Sequence, residues 1–414
     1  MTFQTGTSAS DSRARCLVPS VGTALYVHTP FCVRKCTYCD FFSVRAEGQD
    51  IPGAVDALLN EAARRAPEEP RTVFIGGGTP SLLPEEELRR LFDNLDSFTG
   101  FRTSAVEVTV ECNPESLTPE KAFLLRELGA DRLSIGFQSL NPKVLELFGR
   151  VHSAEESFSA FEAARNSGFL RISVDMIYAA PNQTLETWLR ELDRVLELRP
   201  EHISAYALAY EEGTVLTSRM RSGTIARLQE QEELLYFEET RGRLQTEGYE
   251  AYEISNFALD GERCRHNCNY WRNGDYVGIG PSAVSHLHGT RMGNPPSIEQ
   301  WKRGIDRDGF AFTWEESLGP RQRLGETWWL GLRTADGVDP EEARRTAGWH
   351  EPQDPVAVLA AGLRDLGLLE VSGPRFRLSP RGLPLADAVS QRFLQACDNS
   401  HPSHGRPSPS TSIS

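Results

Sequence analysis

Short runs in which apolar and polar residues alternate are separated along this chain by longer stretches whose apolar residues recur at helical spacing. The alternating runs are Ala24–His28, Thr72–Ile75, Val106–Glu111, Arg132–Phe137, Arg171–Ile177 and His202–Leu208. Helical patterns lie between them, among them Pro84–Asn94, Pro119–Leu128, Ala154–Ser167 and Glu186–Leu198. Six strand–helix units in series predict an α/β fold whose parallel sheet curls into a full or partial (β/α)6 barrel. A doubly wound open sheet is the competing architecture.

The parity within the runs predicts which residues face inward. Val106, Val108 and Val110 share one face and Glu107, Thr109 and Glu111 the other. Leu133, Ile135 and Phe137 oppose Ser134, Gly136 and Gln138, while Ile172, Val174 and Met176 oppose Ser173 and Asp175. Side chains alternate across a strand, so the apolar faces lie under the helices and the polar faces line the interior. Glu111, Gln138 and Asp175 then point inward near the C-terminal ends of their strands, where parallel α/β barrels place their chemistry.

After about residue 316 the pattern becomes helix (Leu324–Leu332), helix (Pro355–Leu366), hairpin (Leu369–Leu378, turning at Ser372–Pro374) and helix (Leu383–Leu394), an order that is winged-helix-like. The chain divides accordingly into a polar tail (1–20), the barrel (21–235), a segment capping it (236–315), the winged-helix-like module (316–396) and a Ser/Pro-rich tail (397–414). The tails, which hold Cys16, His401 and His404, are expected to be disordered.

Composition narrows the function classes. Of 414 residues, 39% are hydrophobic and 25% charged, and the net charge of −14 speaks against a nucleic-acid partner and for a structural role of the last module. No apolar run approaches membrane-spanning length and the first twenty residues lack a signal-peptide core, so a cytoplasmic location without a stable membrane anchor is expected. The eight cysteines imply no disulfide framework.

Three of those cysteines, Cys32, Cys36 and Cys39, fall in one CxxxCxxC run with Tyr38 just before the last. Thiolates ligate iron–sulfur clusters and zinc. A [4Fe–4S] cluster with three protein ligands keeps one iron open for a further group, whereas a zinc site would need a fourth residue such as His28 or Asp40. Cys264 and Cys268 form a CxxxC pair with no further cysteine beside it. Gly76-Gly77-Gly78-Thr79-Pro80 follows the second strand and lets backbone groups approach a ligand closely.

From residue 23 to 395 the chain resembles the oxygen-independent coproporphyrinogen III oxidase-like branch of the radical S-adenosylmethionine (SAM) proteins. The resemblance is carried by Leu25–Cys32, Gly76–Leu82, Glu111–Pro114, Leu133–Ser139, Gly149–His152 and Tyr252–Phe257. It implies a radical SAM partial (β/α)6 barrel in which Cys32, Cys36 and Cys39 hold a [4Fe–4S] cluster. It further implies that Tyr26, Tyr38, Gly77, Gly78, Thr79, Glu111, Gln138, Arg150 and Asp175 contact SAM, with Arg150 suited to its carboxylate.

Within this branch stand a radical SAM decarboxylase that makes protoporphyrinogen and a group of heme chaperones. The decarboxylases carry a further cysteine two places after the triad, where this chain has Phe41, and a longer segment before the cluster loop than the 31 residues found here. His266-Asn267-Cys268-Asn269-Tyr270-Trp271 fits the HNxxYW heme-binding motif of the chaperones, which makes His266 the expected heme ligand and the capping segment a heme site; Cys268 is a second candidate for the iron. Val284 stands where relatives carry a histidine, and His286 is given no role. The expected function is thus that of a heme chaperone with heme, a [4Fe–4S] cluster and SAM, passing heme to acceptor apoproteins, as a monomer or a homodimer. SAM-dependent decarboxylation of coproporphyrinogen III is the alternative, and radical SAM chemistry on an unrelated substrate a third.

Overall fold

A computed structural model describes residues 22–398, so both predicted tails, Cys16, His401 and His404 lie outside the described residues save for the last stretch up to Asp398. Cys397, grouped with the tail by composition, is buried as the last residue of the helix Ala386–Cys397.

The six alternating runs all form strands: β1 (Ala24–Thr29), β2 (Thr72–Gly77), β3 (Glu107–Cys112), β4 (Arg132–Gln138), β5 (Arg171–Tyr178) and β6 (His202–Ala207). They pair in parallel in chain order. Helices cross between them, starting where the sequence supplies side-chain acceptors for free N–H groups: Thr118 caps Pro119–Glu127, and Ser153 with Glu156 forms a capping box on Ala154–Asn166. The outward faces of the strands carry the main core, in which Leu25, Val27, Val73, Ile75, Val110, Leu133, Ile135, Ile172 and Val174 are fully buried.

Six further strands, unforeseen in the sequence, extend this sheet at both sides: β7 (Glu250–Ala251), β8 (Asn256–Ala258), β9 (Tyr276–Ile279), β10 (Val284–Leu287), β11 (Thr290–Gly293) and β12 (Trp314–Ser317). The full order is β12-β11-β10-β9-β1-β2-β3-β4-β5-β6-β8-β7. β9 runs parallel to β1, and β8 runs antiparallel to β6. The parallel sheet therefore does not close on itself: strands from the 236–315 segment occupy both of its edges.

Glu61, fully buried on the helix Ile51–Arg65, fastens one of these edges. Its carboxylate accepts hydrogen bonds from Gly280 N (2.8 Å), Asn294 Nδ2 (2.9 Å) and Trp301 Nε1 (2.8 Å) and is paired with Arg65. Every lone pair of a buried charge is thereby engaged.

Residues beyond 319 form their own core around Leu324, Trp328, Leu363, Leu369 and Phe393, with Trp328 stacked on Phe393 at 4.8 Å. A helix, Pro340–Ala347, stands between the two expected ones, and the hairpin pairs β13 (Leu369–Ser372) with β14 (Arg375–Leu378). The module is tied to the sheet by Ala335 N donating to Tyr252 O (2.9 Å) and by Asn273 Nδ2 donating to Thr327 Oγ1 (3.2 Å).

Candidate functional site

At the C-terminal ends of the parallel strands a cavity of about 330 Å³ opens inside the sheet. Cys32, Cys36 and Cys39 line its mouth; Tyr26, Tyr38, Gly77, Gly78, Glu111, Gln138, Arg150 and Asp175 line it too. Parallel strands present their inward side chains to a common interior, so parity brings together residues distant in sequence.

The cysteine loop leaves β1 and is held by hydrogen bonds to the distant Leu147–Phe148 stretch and within itself. Thr37 N donates to Phe148 O (2.9 Å), Thr37 Oγ1 to Leu147 O (2.7 Å), and Ala46 N to Cys32 O (2.9 Å). Below it the glycine run passes so close that a side chain is excluded. A Cβ at Gly78 would lie 2.6 Å from Thr29 O, and Gly77 has φ +99° with an imagined Cβ 2.3 Å from His28 Nδ1.

A chain of hydrogen bonds joins two of the cysteines. Thr79 Oγ1 donates to Cys32 Sγ (3.7 Å) and accepts from Asn113 Nδ2 (2.8 Å). Asn113 Oδ1 accepts from Arg150 Nη2 (2.6 Å), and Arg150 Nη1 donates to Cys36 Sγ (3.6 Å). Thr79 itself does not line the cavity; it touches the sulfur instead. Burial raises the Cys32 thiol and pushes Cys39 up to about 12, so these thiols ionise only beside a cationic partner.

The donor set fits an iron–sulfur cluster better than one zinc ion. Three soft thiols are partly exposed at a cavity mouth, yet among the described residues no three His, Cys, Asp or Glu side chains stand close enough to share a single metal ion. A [4Fe–4S] cluster makes no such demand, because each thiolate takes a different iron. His28 offers no fourth ligand: its Nε2–H donates to Phe42 O (2.8 Å) and its Nδ1 accepts from Tyr26 OH (3.0 Å). Cys264 is buried against Glu107 (Sγ to Oε1, 3.4 Å) and Cys268 is half-buried.

Deeper in, Glu111 accepts from Gly77 N (2.9 Å), and burial lifts its carboxyl to about 7. Burial also raises Asp175, which the Ser134 and Ser173 hydroxyls hold at 2.9 and 3.1 Å. Gln138 sits at φ +64° where a bulge shifts the β4–β5 register, a left-handed conformation that a non-glycine residue adopts at a cost. Asn113, Arg132, Ser134, Tyr206 and Asn267 also line the cavity. For Ser134 and Arg132 the signal was present, since both share the inward parity of Gln138; nothing in the sequence singles out Tyr206 or Asn267.

The structure does not bring His266 to the cavity. The ring is buried, its Nδ1 stands 2.8 Å from Thr72 Oγ1, its Nε2 2.9 Å from Tyr270 OH, and its face lies 5.1 Å from the Phe74 ring. Burial pulls its pKa down to about 4, so it is neutral with both nitrogens engaged.

Comparison with known proteins gives this geometry a family. The model of the Radical SAM superfamily matches residues 26–195. The chain is similar to the heme chaperone HemW of Bacillus subtilis strain 168, 33% identical over 376 residues that cover 89% of this chain and 98% of that protein. It is 35% identical to HemW of Mycobacterium tuberculosis strain H37Rv, covering 91% and 96%, and 33% identical to the mouse mitochondrial radical S-adenosyl methionine domain-containing protein 1, covering 91% and 88%. Its fold is that of the radical SAM enzyme coproporphyrinogen III oxidase (HemN) from Escherichia coli, with a TM-score of 0.79 over 94% of this chain and 93% of that one at 23% identity. Alignment along almost the whole length of the bacterial relatives is narrower than the superfamily match: the chain belongs to the HemW family of radical SAM proteins.

Proposed function

We propose that this chain is a heme chaperone, binding heme and passing it to acceptor proteins, with a [4Fe–4S] cluster on Cys32, Cys36 and Cys39 and SAM in the cavity beneath. The observation that carries the reading is the opening of the three thiols onto one cavity with Glu111, Gln138, Arg150 and Asp175, in a chain aligned end to end with proteins named heme chaperones. Phe41 supports the same choice over the decarboxylase, since it stands two places after the triad where a further cysteine would be expected.

When bound, SAM and a reduced cluster supply the capacity for carbon–sulfur homolysis. The chain's own residues do the rest. Arg150 gives the mouth a fixed positive charge for a carboxylate, and Gly77 and Gly78 let the backbone approach the ligand. Glu111 lies close enough to neutral pKa to hold a proton on its own and to give it up beside an ammonium group. Tyr26 and Tyr38 add apolar walls. His266 enters as a brace between β2 and Tyr270 rather than as the iron ligand. A cytoplasmic location and the absence of a nucleic-acid partner belong to the same proposal, the latter supported by the net charge of −14; no helix among the described residues is long and apolar enough to cross a membrane.

The test is anaerobic. Protein carrying its cluster is given SAM, a reductant and coproporphyrinogen III, and in parallel hemin followed by apomyoglobin as a model acceptor. Hemin binding and transfer without protoporphyrinogen is the expected result. Protoporphyrinogen formed over many turnovers, with matching 5′-deoxyadenosine, would establish the decarboxylase instead.

A further inference from the structure

Heme iron is commonly held by an imidazole, and the fold leaves few imidazoles open. His28 and His266 have both ring nitrogens engaged. So do His152, between Glu115 Oε2 (3.3 Å) and Phe137 O (3.0 Å), and His202, between Ser173 Oγ (2.8 Å) and Tyr252 OH (2.9 Å). His286 gives its Nδ1–H to Gly274 O (3.2 Å), and its Nε2 is shut inside the protein. His288, at the β10–β11 turn, is paired with Asp275 (3.1 Å). Among the described histidines only His350 is exposed with neither nitrogen engaged.

His350 lies just past Gly348, whose φ of +67° turns the chain out of the helix Pro340–Ala347. It stands in the wall of an open cleft of about 340 Å³, together with Trp349, Glu351 and the first turn of the helix Pro320–Gly331. Trp349 is half-buried and fixed at two points: its Nε1 donates to Gln353 O (3.1 Å) and its backbone N to Arg344 O (2.9 Å). The indole is thus a held apolar wall. Arg321 gives Nη2–H to Ala396 O (3.0 Å) and pairs with no acid among the described residues. Gly319 caps the helix without a side chain, so the backbone N–H groups of Arg321 and Gln322 keep no acceptor there. Glu351 is the one acid in the wall, so a carboxylate in the cleft is drawn toward Arg321 and away from it.

We infer that this cleft seats the heme: His350 ligates the iron, Trp349 packs on the porphyrin, and Arg321 with the free amides of its helix takes a propionate. The inference rests on the heme-binding reading and deepens it. An unprotonated imidazole nitrogen supplies the iron ligand, an indole the apolar contact, and a guanidinium the match to a carboxylate. The cleft does not enclose a tetrapyrrole. It holds one edge and leaves the rest of the macrocycle open to an acceptor protein, as a carrier that must release its cargo requires. None of its lining residues belongs to the cysteine cavity, so heme and SAM bind without competing.

Untagged, cluster-loaded protein is titrated anaerobically with hemin, read by Soret difference spectra and electron paramagnetic resonance. The samples are wild type, His350→Ala, Arg321→Gln, His288→Ala and a His401→Ala/His404→Ala double variant. Wild type should show imidazole-ligated heme. His350→Ala should lose that spectrum and bind hemin roughly 10- to 100-fold more weakly, with cluster absorbance, SAM affinity and melting temperature unchanged. Added imidazole should restore the spectrum. Arg321→Gln should weaken binding but keep the ligated spectrum, and the other two variants should match wild type. His350→Ala binding hemin within about twofold of wild type, with the same spectrum, overturns the inference and leaves the heme-chaperone reading standing. Loss of ligation in His288→Ala or in the double variant instead does the same. Wild type that binds no hemin sinks the functional reading, and the inference falls with it.

Discussion

Replacing His266 by alanine separates a brace from a ligand. The change removes a fully buried contact to Thr72 Oγ1 and a second to Tyr270 OH, and leaves a void beside the Phe74 ring. An acceptor or donor stranded inside costs about 1–3 kcal/mol, and the Thr72 hydroxyl pays it in full while Tyr270 is half-buried and pays less. With the lost ring packing the total comes to roughly 3–4 kcal/mol. Anaerobic urea unfolding followed by tryptophan fluorescence reads this as a lower midpoint with the slope unchanged. Hemin titration of the same variant should give an affinity within about twofold of wild type, since neither imidazole nitrogen is free to reach iron. The HNxxYW motif taken alone predicts the reverse. Stability within about 0.5 kcal/mol of wild type together with a tenfold loss of hemin affinity would refute the brace and restore the ligand.

Further outcomes follow from the same geometry. Cys36→Ala should abolish the visible absorbance of the reconstituted cluster, and a retained cluster would remove Cys36 from the ligand set. Glu61→Gln should cost roughly 3–5 kcal/mol, because three donors and Arg65 lose a shared buried charge; a change below about 1 kcal/mol would show that this edge is held by other contacts. Acidification should destabilise the protein. His28 and His266, both lowered to about 4, contribute stability that is complete above pH about 6.5 and falls as pH drops toward 4, roughly 3 kcal/mol each. Glu111, raised to about 7, opposes them by gaining stability as pH falls from 7 toward 4.5, so unfolding midpoints in Glu111→Gln should drop more steeply over that range than in wild type. SAM binding near pH 7 should release a proton from Glu111, seen as a binding heat that varies with buffer ionisation enthalpy in wild type and not in Glu111→Gln.

How much of this was readable beforehand depended on the range of the forces involved. Alternation along a strand is a local property, and it located β1 to β6 within a residue or two and put Glu111, Gln138 and Asp175 on one inner surface. Ligand spacing is equally local, and it found the thiol loop. β7 to β12 are two to four residues long and too short to show a period, so only their partners define them. A motif names a residue type, whereas the partner of the His266 Nδ1, Thr72, stands 194 positions away and shows only in the fold.

The two sides of the parallel sheet are covered by segments that lie downstream of it. β6 ends at Ala207, whereas its neighbour β8 begins at Asn256 and the neighbour of β1 at Tyr276. A nascent polypeptide on the ribosome therefore completes all six central strands some 70 residues before the last of their margins is sheltered. During that interval two rows of unpaired amides and carbonyls await partners, an invitation to association with neighbouring chains. Synthesis of this protein should accordingly lean on holding factors during the latter half of translation, and fragments ending soon after Ala207 should precipitate where the full chain does not.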